Sequence, residues 1–376
     1  MLEKIVIVGT SHPYRGGIAA FTDRLATEFV KEGVDIEVVT FKLQYPSFLF
    51  PGKTQYSDAK APAGFPIERK VNSINPLNWQ KVGKEIRKKN PDIVIFIYWM
   101  SFFAPCFSKI ANVIKRNGHT KCIGLIHNMI PHEKSLLDKW FASDFVKAMD
   151  GFVALSQAVL ADVASLDRQN KPKSYVPHPL YDHFGEIVDK AEAVKHLNLD
   201  PDYRYFLFFG LVRAYKGLDL LIDAFADERL RKYPVKLIVA GEFYDDPKPY
   251  LEQIEKHGLS NFIIVNNQYV KDNDVKYYFN ASEMVVQPYK SATQSGVTQI
   301  AYHFEKPMLV TNVGGLGEII PNGKVGYAVE PNAAAIADAL IDFCENDRYD
   351  MFVEGVREEK KKYQWSGMTE VIISLL

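Results

Sequence analysis

Short apolar runs separated by segments of helix length recur along nearly the whole chain, and this alternation most constrains the fold. Buried strands that alternate with helices build parallel sheets covered on both faces. In the first half the predicted strands are Ile5–Val8, Asp35–Thr40, Pro91–Tyr98, Cys122–Ile126 and Gly151–Leu155, with a helix over Ala19–Lys31. A second set comprises Tyr205–Phe209, Val235–Ala240, Phe262–Val265, Met284–Gln287, Met308–Thr311 and Gly326–Val329. Between the sets, residues 186–204 are polar and read as a connector through a short helix, Ala191–Leu197. Residues 43–75, rich in Pro, Ser, Gly and aromatics, read as a long irregular insertion.

A chain of 376 residues exceeds the ~100–200 residues of a typical domain. The pattern therefore predicts two α/β, Rossmann-like doubly wound domains, over residues 1–190 and 191–376, with a last helix at about 360–376 packing back on the first. Ligands of such sheets bind outside the carboxyl ends of the strands, here in a cleft between the two. No apolar run reaches the ~18–20 residues of a membrane span. The first residues, Met1 to Val8, run directly into a strand without a signal-peptide layout. Three scattered cysteines, Cys106, Cys122 and Cys344, suit a reducing cytoplasm better than a disulfide framework or a zinc site. Charge is unevenly divided: residues 1–190 hold 25 Lys and Arg against 19 Asp and Glu, and the remainder 20 against 27. Basic residues gather at Lys81, Lys84, Arg87, Lys88 and Lys89 and at Lys109, Lys115, Arg116 and Lys121. They read either as solvated helix faces or as an attraction to an anionic membrane surface or a phosphate-bearing acceptor. Nucleic acid is not an expected partner, because the net charge is −1 and no recognition motif is present.

Several strand ends carry residues that could do chemistry. Phe208-Phe209-Gly210-Leu211-Val212-Arg213-Ala214-Tyr215-Lys216-Gly217 leads from a strand through a glycine and two cations into an amphipathic helix, Leu218–Phe225. The unpaired amides and positive dipole end of a helix start, with Arg213 and Lys216 beside them, suit a phosphate or diphosphate. A solvated cationic turn is the alternative. After the first strand, Gly16-Gly17 would let the backbone approach an anion or would serve a structural turn, and the spacing is not the dinucleotide G-x-G-x-x-G. His127-Asn128-Met129-Ile130-Pro131-His132-Glu133 follows another apolar strand and suits polar substrate contacts. It is not the helical H-E-x-x-H arrangement, and no metal is expected. His178 and His183 read as structural or as lining the cleft. After the strand Met284–Gln287, the segment Pro288 to Gln299 carries small polar residues around Gly296 at a predicted helix start, and Thr311 to Glu318 forms a glycine-rich turn.

In their order along nearly the entire chain, these segments resemble the retaining glycosyltransferases of the GT-B fold, family 4 type (group 1). The resemblance rests on the Gly16-Gly17 loop, the strand-end His127-Asn128, the G-x-x-R-x-x-K-G turn at 210–217 and the V-G-G-x-x-E turn at 313–318. It implies a donor-binding C-terminal domain, an acceptor-binding N-terminal domain, and a nucleotide diphosphate sugar as co-substrate with no further cofactor. Arg213 and Lys216 would hold the donor diphosphate and stabilise the leaving phosphate, and His127 would reach the donor sugar. Gly16 and Gly17 would lie against the donor phosphates or the acceptor, and Gly296 and Val297 would offer amides to the diphosphate. Gly241, Glu242, Tyr269 and Val270 would line the base pocket, while Asn128, His132 and Glu133 would face the acceptor. The family usually carries two glutamates eight positions apart. Here Ala292 to Ala301 contains no carboxylate, leaving Thr293, Gln294 or Ser295 to meet the sugar and Gln299 the ribose.

The activity so implied is retaining, metal-independent transfer of a hexosyl unit to a hydroxyl of a saccharide or lipid-linked acceptor, in surface polysaccharide or glycan synthesis. The acceptor would meet residues 43–75 with Tyr45, Phe48, Phe50 and Tyr56, and also Trp99, Phe102 and Phe103. The expected location is cytoplasmic with peripheral membrane contact. A nucleotide-sugar 2-epimerase of the same fold and a nucleotide-sugar-binding protein without turnover are the competing readings. The carboxylate-free segment disfavours the epimerase, and a dinucleotide dehydrogenase lacks its fingerprint.

Overall fold

A computed structural model describes residues 4–45, 55–56, 60–129, 136–292 and 295–376. The chain divides into two compact units, residues up to Pro179 together with Gln364–Leu376, and Leu180–Tyr363. The division thus falls at Pro179 instead of residue 190.

The first unit holds seven strands: β1 (Lys4–Val8), β2 (Asp35–Leu43), β3 (Ile67–Asn72), β4 (Ile93–Tyr98), β5 (Lys121–Ile126), β6 (Gly151–Ala154) and β7 (Lys173–Tyr175). They run parallel in the order β3-β2-β1-β4-β5-β6-β7, with Ile5 opposite both Ile36 and Ile93. Among the described residues before Pro179, the α-helices are α1 (Gly17–Lys31), α2 (Pro76–Lys89), α3 (Ala104–Ile114), α4 (Leu136–Ala148) and α5 (Gln157–Leu166). Successive strand side chains point to opposite faces. Val6 and Val8 accordingly enter one core with Val82, Phe107 and Phe145, while Ile5 and Ile7 enter the other with Phe21 and Leu25. Both faces being covered is why the central strands are unbroken apolar runs.

The second unit holds β8 (Arg204–Phe209), β9 (Val235–Ala240), β10 (Ile263–Asn266), β11 (Met284–Gln287), β12 (Met308–Thr311) and β13 (Gly326–Val329), ordered β10-β9-β8-β11-β12-β13. Its helices are α6 (Lys190–His196), α7 (Leu218–Phe225), α8 (Lys248–Lys256), α9 (Asp272–Ala281), α10 (Gly296–His303), α11 (Leu316–Ile319), α12 (Ala333–Glu345) and α13 (Tyr349–Glu359). The last helix, α14 (Trp365–Ser374), belongs to the first unit, where Trp365, Met368 and Ile372 are buried in the core that holds Ile5 and Phe21.

Two strands depart from the sequence pattern. Residues 67–72, placed within an irregular insertion, form β3 and pair in parallel with β2. Ile67-Glu68-Arg69-Lys70-Val71-Asn72 is an edge strand, and its charged side chains are those a solvent-facing edge tolerates. β7 is only three residues long, too short for a period to register. In each sheet the strand order reverses once, between β1 and β4 and between β8 and β11. Open α/β sheets bind their ligands beyond the carboxyl ends of the strands at such points.

Candidate active site

The second unit's reversal point gathers the cations. Beyond β8 the chain turns at Gly210, passes through a 3-10 turn at Ala214–Lys216 and enters α7 without a side-chain cap on its first amides. Backbone hydrogen bonds fix this turn against its neighbours: Val212 N–H donates to Glu242 O at 2.8 Å, and Lys290 N–H to Tyr215 O at 2.7 Å. Two glycines permit the close approach. Gly217 has φ +69°, and a Cβ there would lie 1.9 Å from the Pro288 carbonyl oxygen. Gly241 has φ +151°, and its Cβ would lie 2.1 Å from the Gly210 oxygen. Loops from β8, β9 and β11 are thus packed backbone against backbone, which only glycine allows.

Arg213 and Lys216 stand in this frame without counter-ions among the described residues. The Arg213 guanidinium lies 4.1 Å from the centre of the Tyr244 ring, and its buried Nε has no hydrogen-bond partner among the described residues. A cation over an aromatic face is held in place while its remaining N–H groups stay available. Lys216 is only 8% exposed, and its Nζ lies 5.7 Å from the centre of the Tyr289 ring. Burial, helped by the nearby Arg213 charge, pushes its amine down to about 8. A largely desolvated ammonium next to a guanidinium is stabilised by an arriving anion.

The β11–α10 segment is arranged differently from the sequence expectation in one respect. Ser295 caps α10, its Oγ accepting from Val297 N–H at 3.2 Å, so that amide is already engaged rather than offered to a ligand. Gly296 is the first residue of the helix, packed so closely on Tyr181 that a Cβ would lie 2.5 Å from the ring. Thr293 and Gln294 lie outside the described residues. Gln299 is buried at 1% exposure, and neither its Oε1 nor its Nε2 has a partner among the described residues. Gln287, at the end of β11, is buried to the same degree with both amide atoms equally unpartnered. Each unmade hydrogen bond of this kind costs about 1–3 kcal/mol, so two adjoining elements keep polar groups in reserve. Sequence reasoning missed Gln287 and Tyr244 as parts of this group, and gave Tyr289, within the 288–299 segment, no role of its own. The available signal for Gln287 was an amide closing an otherwise apolar strand.

Other candidates of this unit lie further along the same edge. Gly241 and Glu242 follow β9, where Glu242 is exposed and contributes its carbonyl to the turn. Tyr269 and Val270 follow the edge strand β10; Tyr269 is 67% exposed with its hydroxyl 3.2 Å from Asp272, and Val270 packs on the core.

In the first unit, Gly16 is the N-cap of α1 at φ +108° and Gly17 its first residue, with open space around Gly16. The preceding loop is tied to Asp23 of α1, which accepts from Ser11 Oγ and from His12 N–H. Burial pushes the Asp23 carboxyl up to about 6, against the pull of those donors. His127 follows β5, anchored by its N–H to Tyr98 O at 2.8 Å. Its ring packs edge-on at 4.6 Å from Phe21 and 6.0 Å from His178, and its buried Nε2 has no partner among the described residues. Desolvation holds His127 well below the usual histidine range and His178 at about 4, so both rings are neutral at pH 7. Asn128 is half-buried beside it, while His132 and Glu133 lie outside the described residues. Tyr45, Trp99 and Phe102 pack on the core around Phe103, whereas Tyr56 is exposed with Arg69 over its ring; Phe48 and Phe50 lie outside the described residues. Among the described residues no group of three or more His, Cys, Asp or Glu is placed to hold a metal ion, and no helix is long and apolar enough to cross a membrane.

Comparison with known proteins places these features. A profile described as "Glycosyl transferases group 1" matches residues 189–360, and one described as "Glycosyltransferase Family 4" matches residues 15–180. An uncharacterised glycosyltransferase of Methanocaldococcus jannaschii is 24% identical over 97% of this chain and 95% of its own length. The O-antigen chain mannosyltransferase C of Escherichia coli is 25% identical over 59% of this chain and 58% of its own. Among solved structures, a lipopolysaccharide outer core galactosyltransferase in its apo form superposes with a TM-score of 0.71 at 14% identity, covering 99% of this chain and 100% of its own. An Anabaena protein, HepE, in complex with UDP gives a TM-score of 0.73 at 15% identity over 99% of this chain and 98% of its own. The two parallel sheets are those of the GT-B fold, and the chain belongs to the group 1, family 4 glycosyltransferases.

Proposed function

We propose that the protein is a retaining hexosyltransferase that takes its sugar from a nucleoside diphosphate donor and delivers it to a hydroxyl of a saccharide or lipid-linked acceptor in surface polysaccharide synthesis. The observation that carries this reading is the pair Arg213 and Lys216, fixed beyond β8 with no counter-ion among the described residues. The second unit then binds the donor and the first unit the acceptor. As the bond from the anomeric carbon to the phosphate oxygen breaks, negative charge grows on the leaving diphosphate. Two preorganised cations and the uncapped first turn of α7 hold that state more tightly than the ground state. The acceptor oxygen bonds to the anomeric carbon on the face the phosphate leaves, and its proton passes to a phosphate oxygen. No pair of flanking carboxylates is needed, unlike glycoside hydrolysis. That agrees with the absence of any acidic residue from Pro288 to Ala301. The neutral His127 ring can hydrogen-bond a sugar hydroxyl without adding charge near a carbon that becomes cationic.

Relatives named for O-antigen mannosyl transfer and D-rhamnosyl transfer support a polysaccharide setting. The basic residues Lys81, Lys84 and Lys88 along α2, all exposed, support peripheral contact with anionic lipid. The test is incubation of the protein with a panel of UDP-, GDP- and dTDP-sugars plus lipid-linked oligosaccharide, followed by separation of the products. Nucleoside diphosphate together with a lengthened acceptor is the expected result. A changed sugar with no acceptor product would mean epimerisation, and binding with no chemistry would overturn the assignment of turnover.

A further inference from the structure

The second unit carries another uncompensated cation, at the opposite end of its sheet. Phe304, Glu305 and Lys306 connect the last turn of α10 to the amino end of β12, and with residues of α6, α9 and α13 they line a surface cavity of about 400 Å³. Lys306 is 6% exposed; its backbone N–H donates to Ala301 O at 2.8 Å, but its ammonium has no hydrogen-bond or ion-pair partner among the described residues. The other charges lining the cavity are matched. Lys190 Nζ lies 2.6 Å from Glu283, and Arg357 Nε lies 2.7 Å from Glu305, which Lys360 also meets at 2.5 Å. The Asp189 carboxylate caps α6 by accepting from Ala191 N–H.

A buried ammonium with no partner is costly, and such groups are ordinarily paired. Burial and the neighbouring Lys190 push the Lys306 amine down to about 8, against Glu283 and Glu305, which leaves it mostly charged at neutral pH. With Lys190 paired to Glu283 and Arg357 to Glu305, Lys306 is the cation of the lining left without an ion-pair partner among the described residues. The remaining wall is apolar, with Val188, Phe304 and Val353. A single unpaired ammonium with the Asp189 and Glu305 carboxylates on the same wall fits a monoanion and opposes a dianion such as a phosphate ester.

We propose that this cavity is a binding site for a small organic monocarboxylate, whose carboxylate pairs with Lys306 while its apolar body lies against Val188, Phe304 and Val353. The site is separate from the Arg213–Lys216 turn, since it lies at the amino rather than the carboxyl ends of the strands. α10 joins the two: it begins at Gly296 beside the candidate donor loop and ends at His303, whose successor Phe304 lines the cavity.

Thermal unfolding of the whole protein with hexanoate, and with the neutral hexanamide as control, tests this. Hexanoate at about ten times its dissociation constant raises Tm by roughly 2–4 °C in a saturable way, and hexanamide does not. Lys306→Met removes the response. Ile187→Glu, an exchange at a residue of the cavity rim that is 49% exposed, weakens the response by placing a like charge beside the ligand, and so covers a failure of Lys306→Met to fold. Lys216→Ala keeps the response in full. No shift in the unmodified protein, an equal shift with hexanamide, an undiminished shift in Lys306→Met or Ile187→Glu, or loss of the shift in Lys216→Ala would each overturn the proposal.

Discussion

The two units share one architecture yet finish their central strands in opposite electrostatic conditions. Beyond β8, Arg213 and Lys216 are cations without counter-charges among the described residues. Beyond β1, β5 and β7, the groups sheltered from solvent are neutral rings and a carboxyl already engaged: His127 and His178 are held uncharged by burial, and Asp23 is tied to the Ser11–His12 loop, while the cation of that loop, Arg15, is exposed. A charged diphosphate is recognised by charge kept in reserve, whereas an uncharged sugar or acceptor hydroxyl is recognised by shape and single hydrogen bonds. The fold is common to both halves, and the chemistry is set by a few loop residues.

That contrast can be broken most severely at Arg213. On the scale of a lost transition-state donor, Arg213→Ala lowers kcat by about 10²-fold or more, measured as nucleoside diphosphate release under saturating donor. An unchanged kcat would remove the pair from the chemistry. Lys216 sharpens the contrast through pH. Its amine, pushed down to about 8 in the free protein, loses its proton as pH rises, so donor-nucleotide affinity is full below that value and declines above it. Over one pH unit beyond the midpoint the decline approaches about tenfold. Titration calorimetry with UDP or GDP at several pH values reads this, and Lys216→Met should abolish the dependence. In the neutral unit the effects are smaller. His127→Phe keeps the ring packed on Phe21 and removes one hydrogen bond, costing about three- to tenfold in kcat with nucleotide affinity unchanged. A comparable loss of nucleotide affinity would mean that the first unit also holds the donor's charged end. Smallest is Tyr244→Leu, which removes the ring under Arg213 and, at about 0.5–1 kcal/mol for an exposed cation–π contact, weakens donor binding a few-fold in an equilibrium assay.

Much of this was legible in the sequence, and the exceptions have physical causes. Unbroken apolar strands such as Ile93–Tyr98 announce a sheet buried on both faces, and the glycine–cation turn after Phe209 announces two neighbouring cations at a strand end, because both signals are local. β3 escaped notice since Glu68, Arg69 and Lys70 break the apolar run that marks a buried strand, as the edge of a sheet allows. Tyr244 and Gln287 escaped, and Tyr289 had no role assigned, because their roles come from strand order. β9 and β11 flank β8, so residues far from Arg213 in the chain arrive at its turn. Val297 was misjudged for another reason: a serine immediately before a helix uses its hydroxyl as a cap, which takes up the very amide a ligand would need.

The placement of α14 has a consequence for how the protein is made. Trp365, Met368 and Ile372 complete a core that otherwise consists of residues before Pro179, and the second unit, Leu180–Tyr363, is inserted between the two parts. Leu180 N–H donates to Tyr363 O at 2.9 Å, closing that insertion on itself. On the ribosome the usual order, in which the N-terminal domain finishes first, is therefore reversed. The inserted unit can close as soon as Tyr363 has emerged, while the unit that begins the chain waits for its last helix.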